Sequence, residues 1–261
     1  MESGTPKLKL EIRNHTAVLT IANAPANTWD TESLGALPAL LDRLEADANV
    51  WTLVLTGEGA KFFSAGADLK LFKDGDRAMA RSMARLFGEA FERLSNTRLV
   101  TIAALNGYAM GGGLECALAC DLRVAEKQSQ LALPEAAVGL LPCAGGTQTL
   151  AWLVGEGWAK RMILAGERVS ADTALRIGLV EEVAETGQGL AKALELAARI
   201  ENQSPSSLAA CKKLIQAART RPMGSAWALE RELFVDLFDR ADQKEGVVAF
   251  LEKRKPAWKN A

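Results

Sequence analysis

The sequence predicts an α/β fold, with parallel βαβ units up to about residue 183 and helices almost throughout the remainder. Two observations carry this reading. Short β-rich runs alternate with amphipathic helical stretches through the first part, the pattern of a parallel sheet with crossover helices. Beyond it the periodicity is helical, and "ENQSP" reads as a junction, because Ser204 and Pro205 make a good N-cap and first-turn pair. The length, 261 residues of which 49% are hydrophobic, suits one large domain with a sizeable core and a smaller appendage. The expected division is a core over residues 1–200 and a helical region over 201–261.

In chain order, "LKLEIRN" (8–14) and "AVLTIA" (17–22) alternate or run apolar like strands, and "NAPANTWD" (23–30) is a loop. "TESLGALPALLDRLEAD" (31–47) reads as a helix with Thr31 as its N-cap. "WTLVLTG" (51–57) is a strand ended by Gly57, and "EGAKFFSAGADLK" (58–70) is a loop entering a helix. Residues 76–96 are helical, "LVTIAAL" (99–105) is a buried strand and "LECALAC" (114–120) is a buried helix. "DLRVAE" (121–126) and "QLAL" (130–133) are strands.

Composition excludes several classes of function. With 31 basic and 32 acidic residues the net charge is -1, so nothing global points to nucleic acid or to an acidic membrane surface. The N-terminal stretch has no apolar h-region and so no signal-peptide character. The longest charge-free stretch, Leu99 to Leu114, is too short and too broken by glycine to span a bilayer. None of Cys116, Cys120, Cys143 and Cys211 forms a C-x-x-C pair, which fits a reducing cytoplasm. The one histidine, His15, reads as a hairpin-turn residue. A histidine-dependent triad would have to run through it, no G-x-S-x-G elbow exists for it to serve, and no histidine-rich metal site can form. Acid–base chemistry therefore falls to carboxylates.

Three stretches carry chemistry. "NGYAMGGGLE" (106–115) runs a strand into glycines and then opens a helix. The first amides of a helix have no partner within it and sit at the positive end of its dipole. Bare of side chains at Gly111 to Gly113, they suit an oxygen on which negative charge develops; a tight turn under crowded packing would use the same glycines. "KFFSAGADLK" (61–70) supplies a second exposed amide near Ala67, or is a loop with a helix cap. "LALPEAAVGLLPCAGGTQTL" (131–150) sets Glu135 after Pro134 in apolar surroundings, where it is either functional or helix-start chemistry.

Together, in this order and spacing, the three stretches resemble the enoyl-CoA hydratase/isomerase (crotonase) superfamily. The resemblance extends to "ANAPAN" near the start and "FLEKRKPAW" near the end. It implies a crotonase-like spiral of βαβ turns with a C-terminal helical region that trimerises, giving a homotrimer or a dimer of trimers. It implies an acyl-CoA thioester substrate and no separate cofactor, coenzyme A being part of the substrate. By position, the amides of Ala67 and Gly112 resemble the oxyanion hole, and Glu115 and Glu135 match the two catalytic glutamates of the hydratases. Ala65, Asp68, Leu69, Lys70 and Gly111 fall where members contact substrate or CoA. Phe250 and Lys253 match C-terminal residues that reach the nucleotide end, often of a neighbouring subunit.

The resemblance implies addition of water across the double bond of a 2-enoyl-CoA, with Glu115 chiefly on the water and Glu135 chiefly on the α-proton. Presence of both glutamates favours hydratase over a double-bond isomerase working with Glu135. RNA binding, known for some members, is disfavoured by the balanced charge and the lack of an aromatic-studded basic stripe. Two positions depart from the commonest pattern. Cys143 stands where glycine is common and is expected to narrow the acyl site, and Thr149 stands where arginine is frequent. Residues 71–87 are expected to line or cover the acyl tunnel.

Overall fold

Strands β1 (Leu8–Arg13) and β2 (Thr16–Ile21) form a hairpin, and helix α1 (Thr31–Ala46) follows. The turn of the hairpin holds His15, whose ring stacks on Trp51 at 3.5 Å and whose Nδ1 lies 2.8 Å from the Asn49 carbonyl. It is a turn residue, as its position suggests. The N-cap of α1 is Asp30, not Thr31: its carboxylate accepts the amides of Glu32 and Ser33, and the Ser33 hydroxyl accepts the amide of Asp30 in return. Both residues are of capping type, and the reciprocal bond to Ser33 selects the earlier one. The computed structural model describes residues 3–261.

Strand β3 (Thr52–Gly57) is followed by a three-residue strand β4 (Phe62–Ser64), a 3₁₀ turn over Leu69–Phe72 and helix α2 (Arg77–Asn96). Next come β5 (Val100–Leu105), β6 (Tyr108–Met110), α3 (Gly112–Ala119), β7 (Leu122–Glu126) and β8 (Gln130–Ala132). After a second 3₁₀ turn over Glu135–Val138 follow α4 (Gly146–Leu164), β9 (Val169–Ser170), α5 (Ala171–Arg176), β10 (Glu182–Ala184) and α6 (Gly189–Ile200). The chain ends in α7 (Pro205–Ala217), α8 (Met223–Asp236) and α9 (Ala241–Leu251). Ser204 caps α7 by accepting the Ser207 amide, with Pro205 in the first turn.

The strands make two sheets. One has the order β1-β2-β3-β5-β7-β10 and is parallel except for the hairpin. The other has the order β4-β6-β8-β9, with only β9 antiparallel. The parallel strands β3, β5 and β7 are buried on both faces, which is why their sequences run apolar rather than alternating. Leu53, Leu55, Ala103, Leu105 and Ala125 face the main core, which includes α1 and α2. Val54, Ile102, Ala104 and Val124 face the opposite way and pack against Ala193 and Ala197 of α6.

The helices bury stripes at helical spacing, Leu34, Leu37, Leu41 and Leu44 on α1 and Met83, Phe87, Ala90, Phe91 and Leu94 on α2. Each fully buried leucine contributes about 1.5–3 kcal/mol relative to an exposed one. Asn106 joins the two sheets locally. Its Oδ1 accepts the Gly57 amide at 3.1 Å, and its Nδ2 donates to the carbonyls of Gly57 (2.9 Å) and Gly59 (2.6 Å). This fixes the β3–β4 turn against the β5–β6 link, and both of those segments lead into the site.

Candidate active site

Two backbone arms converge where the second sheet ends. The first leaves β4. Ala65 N donates to the Ala26 carbonyl at 2.9 Å, and Gly66 takes φ +91°. Trp29 N donates to Gly66 O (2.8 Å) and Asp68 N donates to Trp29 O (3.0 Å), a parallel bridge of Trp29 with Ala67. In such a bridge the flanking residues make the bonds. The N–H of Ala67 itself faces away and has no acceptor among the described residues. Trp29, wholly buried, anchors the arm.

The second arm leaves β6. Gly111 N donates to Ala132 O at 3.0 Å, and Gly111 adopts φ +54°, ψ -128°, a conformation that favours glycine. Helix α3 then begins at Gly112, whose N–H is one of the orphans of the first turn. The arms touch. A Cβ on Gly66 would lie 2.7 Å from the Met110 carbonyl and 3.0 Å from the Gly112 nitrogen. A Cβ on Gly112 would lie 3.7 Å from the Ala67 nitrogen and 2.8 Å from the Phe87 ring. Two unpaired amides therefore open at one place, under an aromatic ring, with no room for a larger residue. The glycines of "NGYAMGGGLE" meet crowding and an open amide at once.

One turn into α3, Glu115 is 3% exposed. Its Oε1 accepts the amides of Ala144 (2.7 Å) and Gly146 (2.9 Å), which flank the cap of α4. Its Oε2 accepts from no donor among the described residues. Burial pushes the Glu115 carboxyl upward in pKa, opposed by the amides of Gly146, Ala144 and Cys143. Glu135 opens the 3₁₀ turn after β8, and both its carboxylate oxygens are shielded from solvent without any hydrogen bond. Oε1 would lie 3.1 Å from a Cβ on Gly111. Burial first, and the Glu115 charge second, push its pKa up to about 7. A buried carboxylate with no donor is costly, and protonation relieves that cost.

A cavity of ≈ 220 Å³ brings these groups together. Of the residues singled out in the sequence, Ala65, Ala67, Leu69, Gly111, Gly112, Glu115 and Glu135 line it. Asp68 does not; its carboxylate caps the 3₁₀ turn by accepting the Lys70 amide at 3.1 Å. Lys70 is exposed and lines no part of the cavity. Phe250, 83% exposed on α9, and Lys253 lie elsewhere, Lys253 beside Trp258 in a separate hollow. Cys143 is on the wall, its thiol pushed up to about 11 by burial and then by the two glutamates. From residues 71–87, Phe72 and Phe87 supply wall.

Sequence reasoning missed the amides of Ala144 and Gly146 as the holders of Glu115, and the lip of Val138, Leu140 and Leu141. The glycines of "CAGGT" were the available signal for the first. A Cβ on Gly146 would come within 2.9 Å of the Glu115 side chain.

A pair of open amides beside two buried carboxylates can stabilise an oxyanion while one carboxylate takes a proton and the other gives one. Comparison with known proteins identifies the family. The family model described as Enoyl-CoA hydratase/isomerase matches residues 11–261. The short-chain-enoyl-CoA hydratase of Clostridium acetobutylicum is 37% identical over 94% of this chain and 95% of its own length. The 2,3-dehydroadipyl-CoA hydratase of Escherichia coli K12 is 37% identical over 95% of this chain and 96% of its own. The solved structure of Pseudomonas aeruginosa DspI is 63% identical and superposes with a TM-score of 0.95 over 97% of each chain. The chain belongs to the enoyl-CoA hydratase/isomerase family.

Proposed function

We propose that the protein hydrates a 2-enoyl-CoA thioester, with Glu115 and Glu135 as the acid–base pair and the amides of Ala67 and Gly112 as the oxyanion hole. The observation that carries this reading is the unequal pair. Glu115 has one oxygen anchored by two amides and the other open, while Glu135 has neither oxygen bonded and holds its proton up to about neutral pH. The thioester oxygen takes the two open amides. Glu115, ionised, removes a proton from water as it attacks the β-carbon, and Glu135 delivers its proton to the α-carbon. Preorganised donors of this kind are each worth about 100- to 1000-fold in rate.

Ala65, Leu69 and Gly111 shape the thioester end, while Asp68 sets the turn that presents Lys70 toward the CoA side. The C-terminal helices expose Phe234, Val235, Phe238 and Phe250. An apolar surface of this kind supports assembly into a trimer or a dimer of trimers, in which Phe250 and Lys253 serve the nucleotide end of CoA in a neighbouring site. All four cysteines are free, which fits the cytoplasm. Among the described residues no helix is long and apolar enough to cross a membrane.

The test is a two-substrate assay. Crotonyl-CoA should be hydrated, and a 3-enoyl-CoA should be converted to the 2-enoyl isomer far more slowly. Dominant isomerisation that survives Glu115→Gln would replace this reading with that of an isomerase working through Glu135.

A further inference from the structure

Beyond Glu115 and Glu135, the site cavity carries no charged side chain. No Lys, Arg, His, Ser, Thr, Asn or Gln side chain lines it. Cys143 stays a neutral thiol below a pH of about 11. Apart from the two amides and the two glutamates the wall is apolar, with Phe72, Phe87 and Met110 in it, and the rim is Val138, Leu140 and Leu141. Those rim residues are 55%, 41% and 69% exposed, an apolar lip at the mouth. Lys70 and Lys73 belong to the segment that supplies Leu69 and Phe72, but they are exposed and line no part of the cavity.

We propose that the acyl group accepted here is an uncharged hydrocarbon, and that the cavity discriminates against an acyl chain ending in a second carboxylate. The proposal rests on the hydratase reading of the site. Once the thioester oxygen occupies the two amides and the reacting carbons face the two glutamates, the rest of the acyl chain meets apolar wall. A carboxylate there would lose water without gaining a donor or a cation. It would also share the cavity with the ionised Glu115, which adds like-charge repulsion. Overall similarity does not decide the matter. The E. coli relative is named for an acyl chain with a second carboxylate, and it is as similar to this chain as the short-chain hydratase is. The composition of the wall decides it.

Hex-2-enoyl-CoA and 2,3-dehydroadipyl-CoA both carry six acyl carbons and differ at the far end, methyl against carboxylate. We expect kcat/KM to favour the hexenoyl ester by roughly 100-fold or more, the scale of an uncompensated buried charge. Values within a few-fold of each other, or a preference for the dehydroadipyl ester, would overturn the proposal. If neither ester is hydrated, the hydratase reading fails instead. Calorimetric binding of the saturated esters hexanoyl-CoA and adipoyl-CoA then tests the cavity by itself, with tighter hexanoyl binding expected and equal binding fatal. Leu141→Arg, at an exposed lip position, should narrow the preference by roughly 10-fold through an added charge pair. An unchanged ratio in a folded Leu141→Arg protein would show that the lip does not discriminate.

Discussion

Glu115 and Glu126 are built alike and used differently. Each is buried, at 3% and 4% exposure, and each accepts amides on both sides of the cap of a following helix. Glu115 takes Ala144 and Gly146 before α4; Glu126 takes Gly187 and Gly189 before α6, each of the latter at 2.9 Å. Each abuts a glycine that cannot carry a Cβ without striking the carboxylate side chain, Gly146 at 2.9 Å and Gly189 at 2.8 Å. The difference lies in what is left over. Glu126 uses both oxygens, Oε1 for Gly189 and Oε2 for Gly187 and for Gln128 Nε2. Glu115 spends Oε1 on both amides, keeps Oε2 free and faces a cavity that also holds Glu135. A buried carboxylate is thus no sign of chemistry by itself; an unused oxygen beside a cavity is.

Replacing each by glutamine separates them most sharply. Glu115→Gln should lower kcat/KM for crotonyl-CoA by about 100- to 10,000-fold, the usual range for a lost acid–base group. Its fold should survive, because the amide oxygen of glutamine can take both Ala144 and Gly146. Glu126→Gln must instead turn an NH₂ toward a backbone N–H. It should lose about 1–3 kcal/mol of stability, the cost of a mispaired buried group, and keep its activity within a few-fold. Activity loss in Glu126→Gln comparable to that in Glu115→Gln would erase the distinction.

A smaller effect should follow from the glycines. Both Gly146→Ala and Gly189→Ala overpack a carboxylate, at about 1–3 kcal/mol each. Only Gly146→Ala displaces a reacting group. Misplacement on the ångström scale costs up to about 100-fold in rate, so a 10- to 100-fold fall in kcat is expected there. For Gly189→Ala, kcat should hold while the melting temperature drops. Equal kcat values in the two folded variants would mean that the α4 terminus does not position Glu115.

The same contrast explains what was legible in the sequence. The strand–helix alternation and the three motifs could be read because hydrophobic period and glycine spacing are local signals. The partners of Glu115 lie 29 and 31 residues away and follow no period. The bridge from Trp29 to Ala67, which aims the Ala67 amide outward, is likewise non-local. Strands β4 and β6 have three residues each, too few for a period-2 pattern to show. The cap of α1 fell to Asp30 rather than Thr31 because neighbouring residues were both competent and the answer lay in a side-chain bond. Glu126 sat unnoticed in "DLRVAE" because its role is wholly structural.

The smallest expected effect concerns Glu135, which has no donor at all. Its folded pKa of about 7 stands above the ordinary 4.5. Between those values the folded protein holds a proton that the unfolded chain has released. Stability from this group is therefore fully present below about pH 4.5 and lost as pH rises toward 7. Glu135→Gln carries no such proton and should lack that decline. Relative to wild type, the variant should gain stability across this window and stay level outside it. The gain should be about 1–2 kcal/mol once the half-buried position of the residue is allowed for. Other carboxylates titrate in both proteins and largely cancel in the difference. Urea midpoints at pH 5 and pH 8 supply the measurement. A variant that gains no more at pH 8 than at pH 5 would mean that Glu135 is already ionised in the fold, and the delivery of its proton to the α-carbon would have to be abandoned.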